Sequence, residues 1–130
     1  MKFFTQKKFV IQEHHASRSH LHWDFRLEIE GVLKSWAVPK GIPTVLNVKK
    51  LAIQVEDHPL DYLNFEGEIA EGEYGAGQIS IWDTGLYELL KFEKKRIEFV
   101  LYGKKVSGKY ILMYWRNKDW LLMKLQNKSQ

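Results

Sequence analysis

HWDFRLEIEGVLKSWAVP, residues 22–39, alternates apolar and polar side chains with the two-residue period of a strand. Trp23, Phe25, Leu27 and Ile29 fall on one face, and His22, Asp24, Arg26 and Glu28 on the other. Glu30 and Gly31 break the pattern as a turn. VLKSWAV (32–38) then resumes it as far as Pro39, which cannot donate to a ladder. The stretch predicts a hairpin with an apolar face and a face of titratable groups.

Outward from this hairpin the chain keeps the same texture. LAIQVEDH (51–58) alternates, with Ala52, Gln54, Glu56 and His58 on one side and Leu51, Ile53, Val55 and Asp57 on the other. QISIWD (78–83), LYELLKF (86–92), RIEFVLYG (96–103), KYILMYWR (109–116) and WLLMKL (120–125) are further strand candidates, with glycines or polar residues between them. HHASRSHL (14–21) reads as a loop. No segment carries a helical stripe over three turns, so TVLNVKK (44–50) and the residues near Glu71 leave room for single turns only. Eight or so short strands in 130 residues predict an all-β fold, a small closed or nearly closed antiparallel barrel with short helical turns.

Composition narrows the function classes. The chain is 45% hydrophobic and 14% aromatic, which is material for one core and one domain over 1–130, with its core at about 9–125. A net charge of +4 favours polyanionic partners. Lysines gather at Lys2, Lys7 and Lys8 and again from Lys91 to Lys109, including Lys94, Lys95, Arg96, Lys104 and Lys105; the plain reading of such runs is a solvated face. Without cysteine, disulfides and thiolate metal sites are excluded. No apolar run approaches the roughly 18 residues of a spanning helix, and MKFFTQKK (1–8) lacks a signal-peptide core, so a cytoplasmic address without a membrane partner is expected. QNKSQ (126–130) reads as a loose tail. EGEYGAG (71–77) lacks the lysine and following helix of a nucleotide loop and reads as a turn with Tyr74 over the barrel end or near a site. Of the five tryptophans, most belong to the core and at most one or two to a stacked base.

The polar face of the first strand carries the chemistry. Side chains at i and i+2 lie about 7 Å apart on one side of a strand, so His22 and Asp24 can share an ion. The bland alternative is an exposed Asp–Arg pair worth under about 1 kcal/mol. Arg26 beside metal ligands is unfavourable unless an anion lies between them, and phosphate satisfies both, since its oxygens reach a metal and a guanidinium together. Lys40 and Lys50 add positive charge. Two rival readings remain: a non-haem iron oxygenase with His22, Asp24 and His58 as its triad, and a non-catalytic nucleic-acid-binding barrel.

Three longer stretches carry a resemblance. FVIQEHHASRSHLHWDFRLEIEGVLKSWAVPKG (9–41), LAIQVEDHPLDY (51–62) and FEGEIAEGEYGAG (65–77) resemble the 3′-phosphoesterase domain of bacterial multifunctional DNA ligase D and its free-standing bacterial and archaeal relatives. The match runs in register from about Phe9 to Asp83, and GKYILMYWRNKDWLLMKL (108–125) follows the family's closing strands more loosely. The resemblance implies a manganese-dependent, or similar divalent-metal, enzyme standing alone as a domain. Its activity would remove a 3′-terminal ribonucleoside and then a 3′-phosphate from DNA or RNA/DNA ends such as a primer-template, ahead of a ligase or polymerase of end joining.

By motif, the family's second metal histidine and its aspartate fall on His22 and Asp24, its arginine on Arg26, and the phosphate-binding lysine of VPKG on Lys40. The histidine and tyrosine of EDHPLDY fall on His58 and Tyr62. Its first metal histidine falls on His14 through the Q-x-H context with Gln12, but eight residues before His22 where the family has six. His15 and His20 are the alternatives. Lys50 stands where the family often has an arginine, keeping the charge without the two-pronged geometry. On this reading Arg26, Lys40 and Lys50 stabilise phosphate charge, His58 moves a proton or contacts phosphate, and Gln12 and Glu56 support the ligands.

Overall fold

The hairpin at residues 22–38 is the start of a closed sheet. In the structure, a computed structural model describing residues 6–17 and 20–126, nine strands follow in order: β1 (Lys7–Ala16), β2 (His22–Ile29), β3 (Val32–Val38), β4 (Lys49–His58), β5 (Gly67–Ile69), β6 (Gly77–Glu93), β7 (Arg96–Tyr102), β8 (Ser107–Arg116) and β9 (Asp119–Lys124). Lys2 and residues 127–130 of the expected tail lie outside the described residues. The β2–β3 turn has φ of 53° at Glu30 and 83° at Gly31, the two positive values of a tight hairpin turn whose twist matches its strands. It sets Phe25 opposite Trp36, Asp24 opposite Ala37 and Arg26 opposite Ser35.

All neighbours pair antiparallel in the order β1-β2-β3-β4-β9-β8-β7-β6, and β6 returns to β1, which closes an eight-stranded barrel. Short β5 lies beside the first residues of β6. Phe9, Ile11, Phe25, Leu27, Trp36, Phe99, Tyr110, Leu112 and Leu122 fill the interior. Their rings interlock, Phe25 with Phe99 at 5.7 Å and Trp36 edge-on to Trp120 at 5.8 Å between centroids. Burying a side chain of this size contributes about 1.5–3 kcal/mol, so this interior dominates the stability.

Three elements differ from the sequence expectation. FVIQEHHA is a strand, so His14 and His15 stand on β1 rather than in a loop. Phe9, Val10 and Ile11 are all fully buried, and a strand covered on both faces loses the alternation that would reveal it. QISIWD and LYELLKF form one 17-residue strand, β6. A bulge there pairs Gln12 with Ile81 and Ile11 with Asp83, which leaves Trp82 unmatched and bends the strand onto a second neighbour. Helical geometry occurs at neither expected place but at Leu60–Asn64, a 3-10 turn started by Pro59 at φ −65°. Among the described residues no helix is long and apolar enough to cross a membrane.

Candidate metal and phosphate site on the barrel wall

Because Phe25 and Leu27 point inward, His22, Asp24 and Arg26 point to the outside of the wall. On β1 the same alternation puts Gln12 and His14 outside, directly opposite Asp24 and His22. Yet this outer face is hardly exposed: His14 and Asp24 retain 6% of their surface and Arg26 3%. The Leu60–Asn64 turn and the segment from Ile69 to Ala76 cover it. They leave a cleft of about 470 Å³ whose wall includes His14, His22, Asp24, Arg26, His58 and Tyr62.

His14, His22 and Asp24 form a possible metal-binding group, with one ligand atom from each lying within 4.8 Å of the others. His14 Nδ1 is 3.2 Å from Asp24 Oδ2, and His22 Nε2 is 3.2 Å from Asp24 Oδ1. The remaining ring nitrogens are occupied. His14 Nε2 donates to the carbonyl of Gly75 at 2.9 Å, and His22 Nδ1 donates to the carbonyl of His20 at 3.1 Å. With both rings neutral, lone pairs of two imidazoles would face a carboxylate across 3.2 Å, an arrangement that requires a cation between them: a proton or a metal ion. Two imidazole nitrogens and a carboxylate oxygen suit a divalent transition metal, so the residues present fit the ion that the chemistry asks for.

The electrostatics agree. Burial alone would raise the Asp24 pKa, but hydrogen bonds from His14 and His22 and the charge of Arg26 outweigh it and hold the carboxyl well below the usual range. The hydrogen bond to Asp24 raises His22 above its ordinary value in spite of burial.

Arg26 is held from several sides. Nε donates to Gln12 Oε1 at 2.7 Å and Nη1 to Ser35 Oγ at 2.8 Å, while Nη2 lies 3.7 Å from Asp24 Oδ2. The guanidinium carbon sits 5.0 Å above the Tyr62 ring. Gln12 in turn donates to the carbonyls of Tyr62 and Phe65 at 3.2 and 3.1 Å, tying the 3-10 turn to the wall. Among the described residues Nη2 makes no hydrogen bond, so one edge of a fixed cation is available to an anion in the cleft.

His58 packs on Tyr62 at 4.7 Å between ring centroids, with Nδ1 3.1 Å from Arg26 Nη1 and 3.0 Å from the carbonyl of Glu56. Burial, then the charge of Arg26, lowers its pKa, so it is neutral near pH 7. Nδ1 either accepts from Arg26, which leaves the proton on Nε2, or donates to the Glu56 carbonyl, which leaves Nε2 with a lone pair. His58 stands outside the His14–His22–Asp24 group among the described residues, which separates it from the triad an iron oxygenase would use.

Several expected placements need correction. Alternation puts His58 and Glu56 on the face of Ala52, but a bulge between Leu33 and Ser35 sets His58 opposite outward-facing Leu33. Glu56 is exposed, and its backbone carbonyl rather than its carboxylate meets His58. Lys40 and Lys50 do not line the cleft. Lys40 is exposed in the turn after β3, and Lys50 shares the face of core residue Ala52, on the far side of the sheet from the site. His15 is exposed and paired with Glu13 at 2.7 Å, and His20 supplies its carbonyl to His22.

Ser35, Ala37, Gly75 and Tyr74 also belong to the site's surroundings. Counting outward from the Glu30–Gly31 turn pairs 26 with 35 and 24 with 37, so the first two could have been found from sequence. Nothing local points to the Gly75 carbonyl, which arrives from 61 positions beyond His14. Tyr74, 78% exposed, stands at the cleft rim on the EGEYGAG turn.

Comparison with known proteins gives a consistent picture. Residues 12–114 match the model of the family described as DNA Ligase D 3′-phosphoesterase domain. The chain is 50% identical over 125 residues to the multifunctional non-homologous end joining DNA repair protein LigD of Mycobacterium tuberculosis, covering 93% of this chain and 16% of that protein. It is 46% identical over 133 residues to the multifunctional non-homologous end joining protein LigD of Mycolicibacterium smegmatis, covering 94% and 17%. With the protein of that name from Pseudomonas aeruginosa the identity is 46% over 129 residues, covering 92% and 15%. The chain thus spans 15 to 17% of the length of these curated relatives.

Proposed function

The chain belongs to the DNA ligase D 3′-phosphoesterase domain family, and from that premise we propose that it is a manganese-dependent enzyme that heals 3′ ends of DNA or RNA/DNA during end joining. It removes a 3′-terminal ribonucleoside and then the 3′-phosphate, leaving a hydroxyl for a ligase or polymerase. The observation that carries this reading is the outer face of β1 and β2, where a three-ligand metal group lies next to a fixed guanidinium with one edge to spare.

In this reading His14, His22 and Asp24 hold the ion, and the carbonyls of Gly75 and His20 keep both imidazoles turned toward it. A bound Mn²⁺ supplies Lewis-acid polarisation of the phosphoryl group. Arg26 Nη2 donates to a neighbouring oxygen and stabilises the negative charge that grows on it, at a position fixed in advance by Gln12, Ser35 and Tyr62. His58, neutral near pH 7, donates a hydrogen bond from Nε2 to the leaving or bridging oxygen in the tautomer whose Nδ1 accepts from Arg26. Tyr62 seats both His58 and Arg26 and presents its hydroxyl to the phosphate. Lys40 and Lys50, outside the cleft, serve phosphates beyond the scissile one.

The test is a labelled primer-template ending in a 3′-phosphate or a single 3′ ribonucleotide, incubated with Mn²⁺ or chelator. Wild type with Mn²⁺ yields the 3′-hydroxyl, whereas chelator or Asp24→Ala leaves the end unprocessed. Equal, unprocessed ends in all arms sink the proposal and favour a binding protein without turnover.

A further inference from the structure

The cleft is lined by two chemically different parts of the chain. The barrel wall contributes His14, His22, Asp24 and Arg26, whereas the covering segment contributes Ile69, Glu73, Tyr74 and Ala76. Residues 69–76 contain two acids, Glu71 and Glu73, and no lysine or arginine. A phosphate is therefore attracted by the metal group and Arg26 and repelled by the covering segment, which suits an uncharged group instead.

The backbone under Tyr74 is tied down. Two turns follow one another, closed by Glu73 N–H donating to the Ala70 carbonyl at 3.2 Å and Ala76 N–H donating to the Glu73 carbonyl at 3.1 Å. Gly72 and Gly75 take the third place of each, at φ of 89° and 78°, the left-handed value that a type II turn requires there. Gly75 gives its carbonyl to His14 Nε2 at 2.9 Å, and a Cβ on it would meet Ile69 Cδ1 at 3.6 Å. Tyr74 thus occupies a turn corner one residue from the partner of a metal ligand. Its ring is nevertheless 78% exposed, and among the described residues no other ring and no cation stacks on it. Tyr62, the other tyrosine of the cleft, is packed by His58, Phe65 and Arg26.

We propose that Tyr74 is a stacking platform for a nucleobase flanking the scissile phosphate, so that the chain grips a 3′ end by the face of a base as well as by its phosphate. A base is planar and uncharged, which matches an exposed ring on a segment without cations, and every base has such a face, so the grip is indifferent to sequence. The base belongs either to the nucleoside that leaves or to the one that keeps the new 3′ end. The inference rests on the end-healing reading for what enters the cleft, and adds a contact which that reading does not use.

The test uses a fluorescent primer-template ending in one 3′ ribonucleotide, with every base present or with an abasic sugar at the terminal or the penultimate position. Binding is followed by anisotropy in chelator, where the end stays intact, and turnover is followed with Mn²⁺. Tyr74→Ala weakens binding to the complete end about tenfold, the size of one lost base stack, and raises KM alike with little change in kcat. Tyr74→Phe restores both, since it keeps the ring. Tyr102→Ala, which removes another exposed tyrosine outside the cleft, keeps wild-type affinity. On one of the two abasic ends wild type binds as weakly as Tyr74→Ala, and that end identifies the stacked nucleoside. Wild-type affinity in Tyr74→Ala, a Phe variant as weak as the Ala variant, an equal loss in Tyr102→Ala, or a Tyr74→Ala defect that persists on both abasic ends overturns the proposal. If binding depends on Tyr74 but no end is processed, the enzymatic reading fails and this one stands; turnover indifferent to Tyr74→Ala gives the reverse.

Discussion

The two faces of β2 are almost equally buried and chemically opposite. Inward, Phe25, Leu27 and Ile29 retain at most 1% of their surface; outward, Asp24 and Arg26 retain 6% and 3%. The inner face is held by shape and area alone, against Phe9, Trp36 and Phe99. The outer face holds charges, which cost several kcal/mol each to bury and persist only when partnered. Asp24 has two imidazoles and a guanidinium, and Arg26 has Gln12, Ser35 and His58. One strand thus separates stability from chemistry by the pleat, and substitutions on the two faces should fail in different ways.

The sharpest contrast comes from Asp24→Ala. It should reduce 3′-phosphate release about a thousandfold or more, measured as product per folded protein, because it removes a ligand and leaves Arg26 without its carboxylate. Phe25→Ala, one residue away, should lower unfolding stability by about 3–5 kcal/mol in urea, while protein that remains folded keeps most of its activity. Equal activity loss in both would erase the distinction between the faces. Gln12→Ala should fall between them: loss of the brace under Arg26 reduces activity about ten- to a hundredfold, with roughly 1–3 kcal/mol of stability, since the Arg26 Nε–H loses its acceptor.

The smallest effect is on pH. In metal-free protein His22, whose folded pKa is raised, contributes stability that is full below its ordinary value and lost as pH rises through the raised one. Asp24, held low, contributes stability present above the ordinary carboxylate range and lost as pH falls toward its depressed value. A metal competes with the His22 proton, so Mn²⁺ affinity should fall up to about tenfold per unit below the raised His22 pKa and level off above it. Titrations at stepped pH check this, and an affinity that rises on acidification contradicts it.

Much of the wall was legible in the sequence because a two-residue turn leaves no freedom of register. From Glu30–Gly31 alone, Arg26 meets Ser35 and Asp24 meets Ala37, and the pleat divides core from site. Two things were not legible, each for a physical reason. β1 is covered on both sides, so Phe9, Val10 and Ile11 carry no alternation, and His14 reads as part of a loop. The bulge between Leu33 and Ser35 shifts one residue, which turns His58 rather than Asp57 toward Arg26 and parts it from the face of Glu56. Lys40 and Lys50 were read as site residues from charge and motif; the structure puts Lys40 in the turn after β3 and Lys50 on the Ala52 face of β4, both outside the cleft lining.

The measurement that most directly tests the account is Mn²⁺ titration, followed by loss of the free-ion electron paramagnetic resonance signal, in wild type and in His14→Ala, His15→Ala and His20→Ala. One tight ion per chain in wild type, lost in His14→Ala and retained in the other two, is the predicted result. Retention of that ion in His14→Ala, with loss in His15→Ala or His20→Ala, contradicts the metal group on the outer face of β1 and β2.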